Sequence, residues 1–205
     1  MDDLARIGLF LRPTSNMEEL YPNYLWQVPV TKDLAGWNEL WPGLEQQILS
    51  ENKGKSYALE DWPETTALYR HYNIFTIEDP NIEQLQSVVR ETVKQVNPNK
   101  EFYIRGWLNV LRDQNTLNWH DHAPDIVGAM HGYISISSEP SVTVYRIGED
   151  LLNVKNRNGY IVIGYSNRDK HRTTPMPSDT PRVSVAFDIV PTTYDLPASN
   201  KWVLL

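Results

Sequence analysis

The chain has 205 residues and a mass of 23.7 kDa, the length of one domain that buries roughly 70% of its unfolded surface, so its core needs no covalent staples. It contains no cysteine, which excludes disulfides, thiolate-bound zinc, iron–sulfur clusters and cysteine nucleophiles and leaves His, Asp, Glu and carbonyl oxygen as the available metal ligands. Nineteen basic against 26 acidic side chains give a formal charge of −7, which argues against indiscriminate binding to a phosphate backbone.

The first segment, MDDLARIGLFLRPTSNMEEL, carries acid where an export signal carries positive charge. No apolar run approaches the roughly 18 to 20 residues of a membrane span. The expectation is a soluble, cytoplasmic protein. From Asp33 to Ser50 the apolar positions Leu34, Trp37, Leu40, Trp41, Leu44 and Ile48 recur at three and four, the spacing of one helical face. Pro42 interrupts that face, so two short helices or one kinked helix is expected. Between Asn81 and Val96 the stripe Ile82, Leu85, Val88, Val89, Val93 and Val96 opposes a wet face of Glu83, Gln84, Arg90, Glu91 and Lys94, bracketed by Pro80 and Pro98. This predicts an amphipathic helix packed on a sheet.

After Asn99 the period changes. Residues 101 to 112, 130 to 137, 141 to 147, 159 to 165 and 181 to 190 are short runs rich in Val, Ile, Tyr and Trp, separated by turn formers. Ser138-Glu139-Pro140 and Asn158-Gly159 read as hairpin turns. Such strands suggest a sandwich or jelly roll, mainly β with supporting α-helices. Six of the seven tryptophans precede residue 120. The chain therefore reads as a single domain: a helical and aromatic support over 1–100, a β-core over 101–190 and an irregular tail over 191–205.

Four of the five histidines fall between residues 120 and 171. His120 and His122 are one residue apart in TLNWHDHAPD, and positions i and i+2 of a strand point to one side, so both imidazoles can reach one ion. A third ligand must then come from a distant strand, and His171, after GYIVIGYS, is the natural candidate. Arg182 opens the strand PRVSVAFDI and shares a face with Ser184. A guanidinium is expensive to bury unless an anion pairs with it. Solvent exposure, or pairing with Asp179 or Asp188, is the competing reading. His131 precedes Tyr133 on one strand face and is a candidate pocket residue, and Arg146 and Arg172 are candidates for substrate contact.

The order H-x-(D or H), a gap of about fifty residues, a distal His and then R-x-S resembles the Fe(II)- and 2-oxoglutarate-dependent dioxygenases, whose core is a double-stranded β-helix. The resemblance covers roughly residues 100 to 190 and is closest to the prolyl-hydroxylase-like branch and to bacterial and phage members with segments like HGYISIS and RVSVAFD. It implies His120 and His171 as iron ligands, and Arg182 with Ser184 on the far carboxylate of 2-oxoglutarate. It also implies Tyr133 or Tyr145 as a phenolic donor to that carboxylate.

One position departs from the pattern: His122 stands where the family has Asp or Glu. Three readings compete. His122 ligates and makes a three-histidine site; Asp121 or Asp125 supplies the carboxylate through a twist or bulge; or the site is degenerate. The first is favoured because strand alternation aims Asp121 away. The implied activity is hydroxylation of a C–H bond on an amino-acid side chain or other small-molecule or peptide substrate, with Fe(II), 2-oxoglutarate and O2 as participants and succinate and CO2 as co-products. The nucleic-acid dealkylating branch carries a second arginine six residues after the first, where this chain has Asp188, so a nucleic-acid partner is not expected. Homo-oligomer formation is left open. The alternatives are a non-catalytic jelly roll that binds a carboxylate or sugar, and a cupin-like metalloenzyme that makes no use of 2-oxoglutarate.

Overall fold

Short β-branched and aromatic runs pair across long sequence distances to build the centre of the molecule. The computed structural model describes residues 17–55, 62–123, 125–166, 170–176, 179–196 and 201–205. The strands among them are β1 (Glu18–Tyr21), β2 (Leu25–Pro29), β3 (Phe102–Leu111), β4 (Met130–Ser137), β5 (Val142–Ile147), β6 (Asp150–Lys155), β7 (Tyr160–Tyr165), β8 (Lys170–Thr173), β9 (Arg182–Pro191) and β10 (Val203–Leu204). They form a large sheet in the order β1-β2-β7-β4-β9-β3-β10 and a small one in the order β6-β5-β8. Neighbours in both are antiparallel. This is a jelly roll, mainly β with helices as support.

Alternation explains why the central strands read as almost continuous apolar runs yet carry a polar face. In β9 the residues Val183, Val185, Phe187 and Ile189 are wholly buried on one side, and Phe187 meets the Phe75 ring at 6.2 Å. Arg182, Ser184, Ala186 and Asp188 occupy the other side. Register puts Arg105, Asp188 and His131 in one row across β3, β9 and β4, with Trp107, Ala186 and Tyr133 in the next and Asn109, Ser184 and Ser135 in a third.

The supporting helices are α1 (Ala35–Glu51), α2 (Glu64–Ala67) and α3 (Pro80–Val96). The first runs through Pro42 as one element, burying Trp37, Leu44 and Ile48. In α3 the Asp79 side chain accepts the Asn81 N–H at 2.8 Å, Pro80 takes the first turn where no N–H is needed, and Ile82, Leu85, Val89 and Val93 are buried. None of the described helices is long and apolar enough to cross a membrane.

The region ahead of residue 100 also contributes strands: β2 pairs with β7 from Leu25 to Pro29, and β1 covers its edge. The segment after α2 does more than underlie the sheet. The Tyr72 hydroxyl accepts the Leu108 N–H at 2.9 Å, and the Asn73 amide accepts the Gly106 N–H at 2.9 Å while donating to the Ile104 carbonyl at 3.3 Å. These side chains satisfy backbone groups of β3 in addition to the bonds of its strand partners. In the tail, Val203 and Leu204 pair with Ile104 and Tyr103, so its end is a short strand.

Both expected hairpin turns prove to be crossings between sheets. Ser138-Glu139-Pro140 joins β4 of the large sheet to β5 of the small one, and Asn158-Gly159 joins β6 to β7. Gly159 accepts the Val30 and Thr31 N–H groups at 2.8 and 3.1 Å and donates to Ser135 at 2.8 Å. Its φ is +80°, and a Cβ there would run into the Thr31 carbonyl oxygen, so glycine is required. The tight turn is instead Gly148-Glu149, between the paired residues Ile147 and Asp150.

Candidate metal centre and anion pocket

Where the two sheets face each other, the inward side chains of β3, β4, β8 and β9 enclose a cavity. Its walls include His120, His122, His131, His171, Tyr133, Arg182, Ser184, Trp107 and Ala186, with Trp62 and Thr66 from the support region. His120 and His171 are joined by reciprocal backbone hydrogen bonds of 3.1 and 2.9 Å, and their rings lie 4.3 Å apart. His120 sits in an isolated bridge with His171, and beyond it the chain bends, with Ala123 at φ +42°. The bend, rather than strand alternation, carries the His122 ring to 5.1 Å from both His120 and His171.

Candidate ligand atoms of His120, His122 and His171 all lie within 4.8 Å of one another. The outer nitrogens are already engaged in two of them. His120 Nδ1 is 2.6 Å from the Asn118 carbonyl, and His122 Nδ1 is 3.0 Å from Asp188 Oδ1. Both contacts fix the proton on Nδ1 and leave an Nε2 lone pair. His122 Nε2 is buried and has no hydrogen-bond partner among the described residues, the signature of an atom that a metal can satisfy. Burial is the main cause that lowers the pKa of all four cavity histidines, His120 to about 4, so the imidazoles are neutral and able to ligate at pH 7.

Asp121 and Asp125 take part in neither group of metal-ligand side chains among the described residues. The nearby carboxylate is Asp188, which the sequence marks as a possible partner for Arg182 and as the residue in place of a second arginine, not as a neighbour of the histidines. Its Oδ1 also lies 3.3 Å from His131 Nδ1, and its Oδ2 lies 3.4 Å from the Arg105 guanidinium. Burial by itself raises the Asp188 pKa, but His122 and His131 outweigh it and hold the carboxyl below its usual range. Arg105 in turn lies over two rings, 5.1 Å from Tyr69 and 4.9 Å from Trp202. Asp188 was discernible by the alternation that pairs Arg182 with Ser184; its partners, 57 to 83 residues away, were not.

Arg182 is 2% exposed. Its guanidinium contacts the Ser141 hydroxyl at 3.1 Å and the Ser184 hydroxyl at 3.5 Å, and it forms no ion pair with a described residue. Burial lowers its pKa, as expected for a desolvated cation. The nearby phenols do not supply a counter-ion. Burial pushes Tyr133 up to about 12 and raises Tyr145 well above the usual value, so both remain neutral. The Tyr133 hydroxyl lies 2.9 Å from Thr143 Oγ1 and 2.8 Å from Asn156 Oδ1. The Tyr145 ring lies tilted against His171, with centroids 5.2 Å apart.

Arg146 and Arg172 lie elsewhere. Tyr145 and His171 point inward, so their sequence neighbours point outward by alternation. Both arginines are exposed and flank Trp119, at 4.6 and 5.0 Å from its ring, and neither lines the cavity.

No family model and no curated protein matches the sequence. Solved structures do match in fold. The epimerase SnoN from nogalamycin biosynthesis, in complex with Fe3+, alpha ketoglutarate and nogalamycin RO, is 12% identical, with a TM-score of 0.56 over 87% of this chain and 88% of that one. A prolyl-4-hydroxylase of Pseudomonas putida is 10% identical, with a TM-score of 0.53 over 80% and 86%. A prolyl hydroxylase of Trichoplax adhaerens, in complex with a peptide fragment, is 12% identical, with a TM-score of 0.56 over 82% and 84%. The chain thus has the double-stranded β-helix fold of the 2-oxoglutarate-dependent non-haem iron oxygenases.

Proposed function

We propose that the protein is an Fe(II)- and 2-oxoglutarate-dependent dioxygenase that hydroxylates a C–H bond of a small molecule or of an amino-acid side chain, free or in a peptide. The observation that carries this reading is the pairing, in one cavity, of three converging neutral imidazoles with a buried guanidinium that has no described anionic partner. Imidazole nitrogens suit a divalent first-row metal, and the planar guanidinium suits a carboxylate.

In this reading His120, His122 and His171 hold the ion, with the Nε2 atoms of His120 and His122 facing it. Arg182 and Ser184 hold the far carboxylate of 2-oxoglutarate, and Tyr133, neutral beside Arg182, leaves the positive charge available to that carboxylate. Bound iron and 2-oxoglutarate together supply the oxidising power, with O2 consumed and succinate and CO2 released. Trp107, Leu117 and Ala186 provide apolar walls that limit water around the reacting groups. Neutral ligands leave the ion's charge uncompensated in its first coordination sphere.

The test is succinate formation from 2-oxoglutarate by the iron-loaded protein across a panel of amino acids, peptides and small carboxylates. Succinate above the metal-free control, increased by at least one candidate substrate, supports the reading. Absence of succinate across the panel, and of uncoupled turnover without substrate, contradicts it.

A further inference from the structure

The described residues offer a second group of potential ligands, His122, His131 and Asp188, that shares His122 with the first. Asp188 does not line the cavity, whereas both histidines do. It stands behind their rings, which stack at 3.6 Å with a 12° angle between planes and present Nδ1 to the same carboxylate oxygen. Its other oxygen is turned to Arg105. A carboxylate in this position holds imidazoles from behind while their far nitrogens face the cavity.

We infer that Asp188 is a positioning residue for the metal centre: it fixes the Nδ1–H form of His122, aims Nε2 at the ion, and supplies one bond further out the negative charge that a three-histidine ligand set lacks. The inference rests on the proposed metal site. Outer carboxylates of this kind raise ligand basicity and orient the ring. Arg105, in cation–π contact with both Tyr69 and Trp202, fixes the carboxylate in turn, so Trp202 bears on the metal site through Arg105, Asp188 and His122. His131 draws on the same oxygen and keeps the His122 ring in place by stacking.

Two measurements on the full chain test this. The first is anaerobic titration with Co(II), followed by its visible absorption, for the wild type, Asp188→Asn and His171→Ala. The near-isosteric Asp188→Asn change removes the charge and is expected to weaken Co(II) binding by on the order of 10- to 100-fold while the circular dichroism spectrum is retained. The second is nitrogen-15 NMR of the His122 ring in the metal-free wild type, where a proton on Nδ1 and a bare Nε2 are expected; this needs no variant to fold. A folded Asp188→Asn protein with Co(II) affinity within twofold of the wild type overturns the inference while leaving the three-histidine site standing. So does a proton on His122 Nε2. If His131→Ala abolishes binding and His171→Ala does not, Asp188 is a direct ligand and the inference is wrong. A wild-type protein that takes up no Co(II) removes the metal site itself and the inference with it.

Discussion

Arg182 and Asp188 lie six residues apart on the inward face of β9, opposite charges about 20 Å apart along the strand, each solving its burial differently. Asp188 collects Arg105, His122 and His131. Arg182 has two serine hydroxyls and no described counter-ion. One strand therefore carries a satisfied anion behind the histidines and an unsatisfied cation in the cavity wall, which is the asymmetry expected where an anionic ligand is to bind.

Arg182→Met is the first prediction. Removing a charge-assisted hydrogen-bonding group costs about 1.5 to 3 kcal/mol of ligand binding, or on the order of 10- to 100-fold in affinity. Calorimetric titration of 2-oxoglutarate into the Mn(II)-loaded variant is expected to show that loss with Mn(II) affinity unchanged. Because burial disfavours the charged form of Arg182, the variant's thermal midpoint is expected to match or exceed that of the wild type. Unchanged 2-oxoglutarate affinity would assign Arg182 a purely structural role.

The metal-free protein should lose stability on mild acidification. Burial lowers His120 to about 4 from the usual 6.5, and His122, His131 and His171 shift the same way. Between those values the unfolded chain binds more protons than the folded one, so stability rises with pH through this window. These histidines make no pH-dependent contribution above about 6.5, where both states are neutral. Urea midpoints measured from pH 7 down to pH 4 are expected to fall progressively; a flat profile would mean that the imidazoles charge freely in the folded state.

Gly159→Ala puts a Cβ against the Thr31 carbonyl at φ +80°, where the neighbour is backbone and cannot swing aside. Overpacking and left-handed strain each cost about 1 to 3 kcal/mol. A thermal midpoint lowered by on the order of 5 °C or more is expected by calorimetry. Wild-type stability would show that the loop can move away without loss.

Trp202→Ala removes one of the two rings on Arg105. A cation–π contact contributes about 0.5 to 2 kcal/mol, more when desolvated, and chemical denaturation should register that loss. An unchanged denaturation midpoint would show that the tail does not brace Arg105.

Much of this molecule was legible because its signals are local. The stripe of α3 and the alternation in RVSVAFDIV and HGYISIS fall within single elements, and they locate the helix, β9 and β4 within a residue or two. The spacing of His120, His122, His171 and Arg182 likewise brings four cavity residues to attention. What escaped depends on partners remote in sequence. LWQVP is too short to announce itself as a strand until β7 pairs with it, and VL at the chain's end gains meaning only beside β3. Asn158-Gly159 has the composition of a hairpin, but whether a turn closes one depends on which sheet each flanking strand joins. His122 reached the cavity for a different reason from the one alternation supplied, since the chain bends where a strand was expected.

The most direct measurement is visible absorption of the Fe(II)-loaded protein under anaerobic conditions as 2-oxoglutarate is added. A charge-transfer band is expected that grows to saturation at one 2-oxoglutarate per iron and is absent in His171→Ala. Wild-type protein that holds stoichiometric iron and shows no band at saturating 2-oxoglutarate would contradict the proposed function.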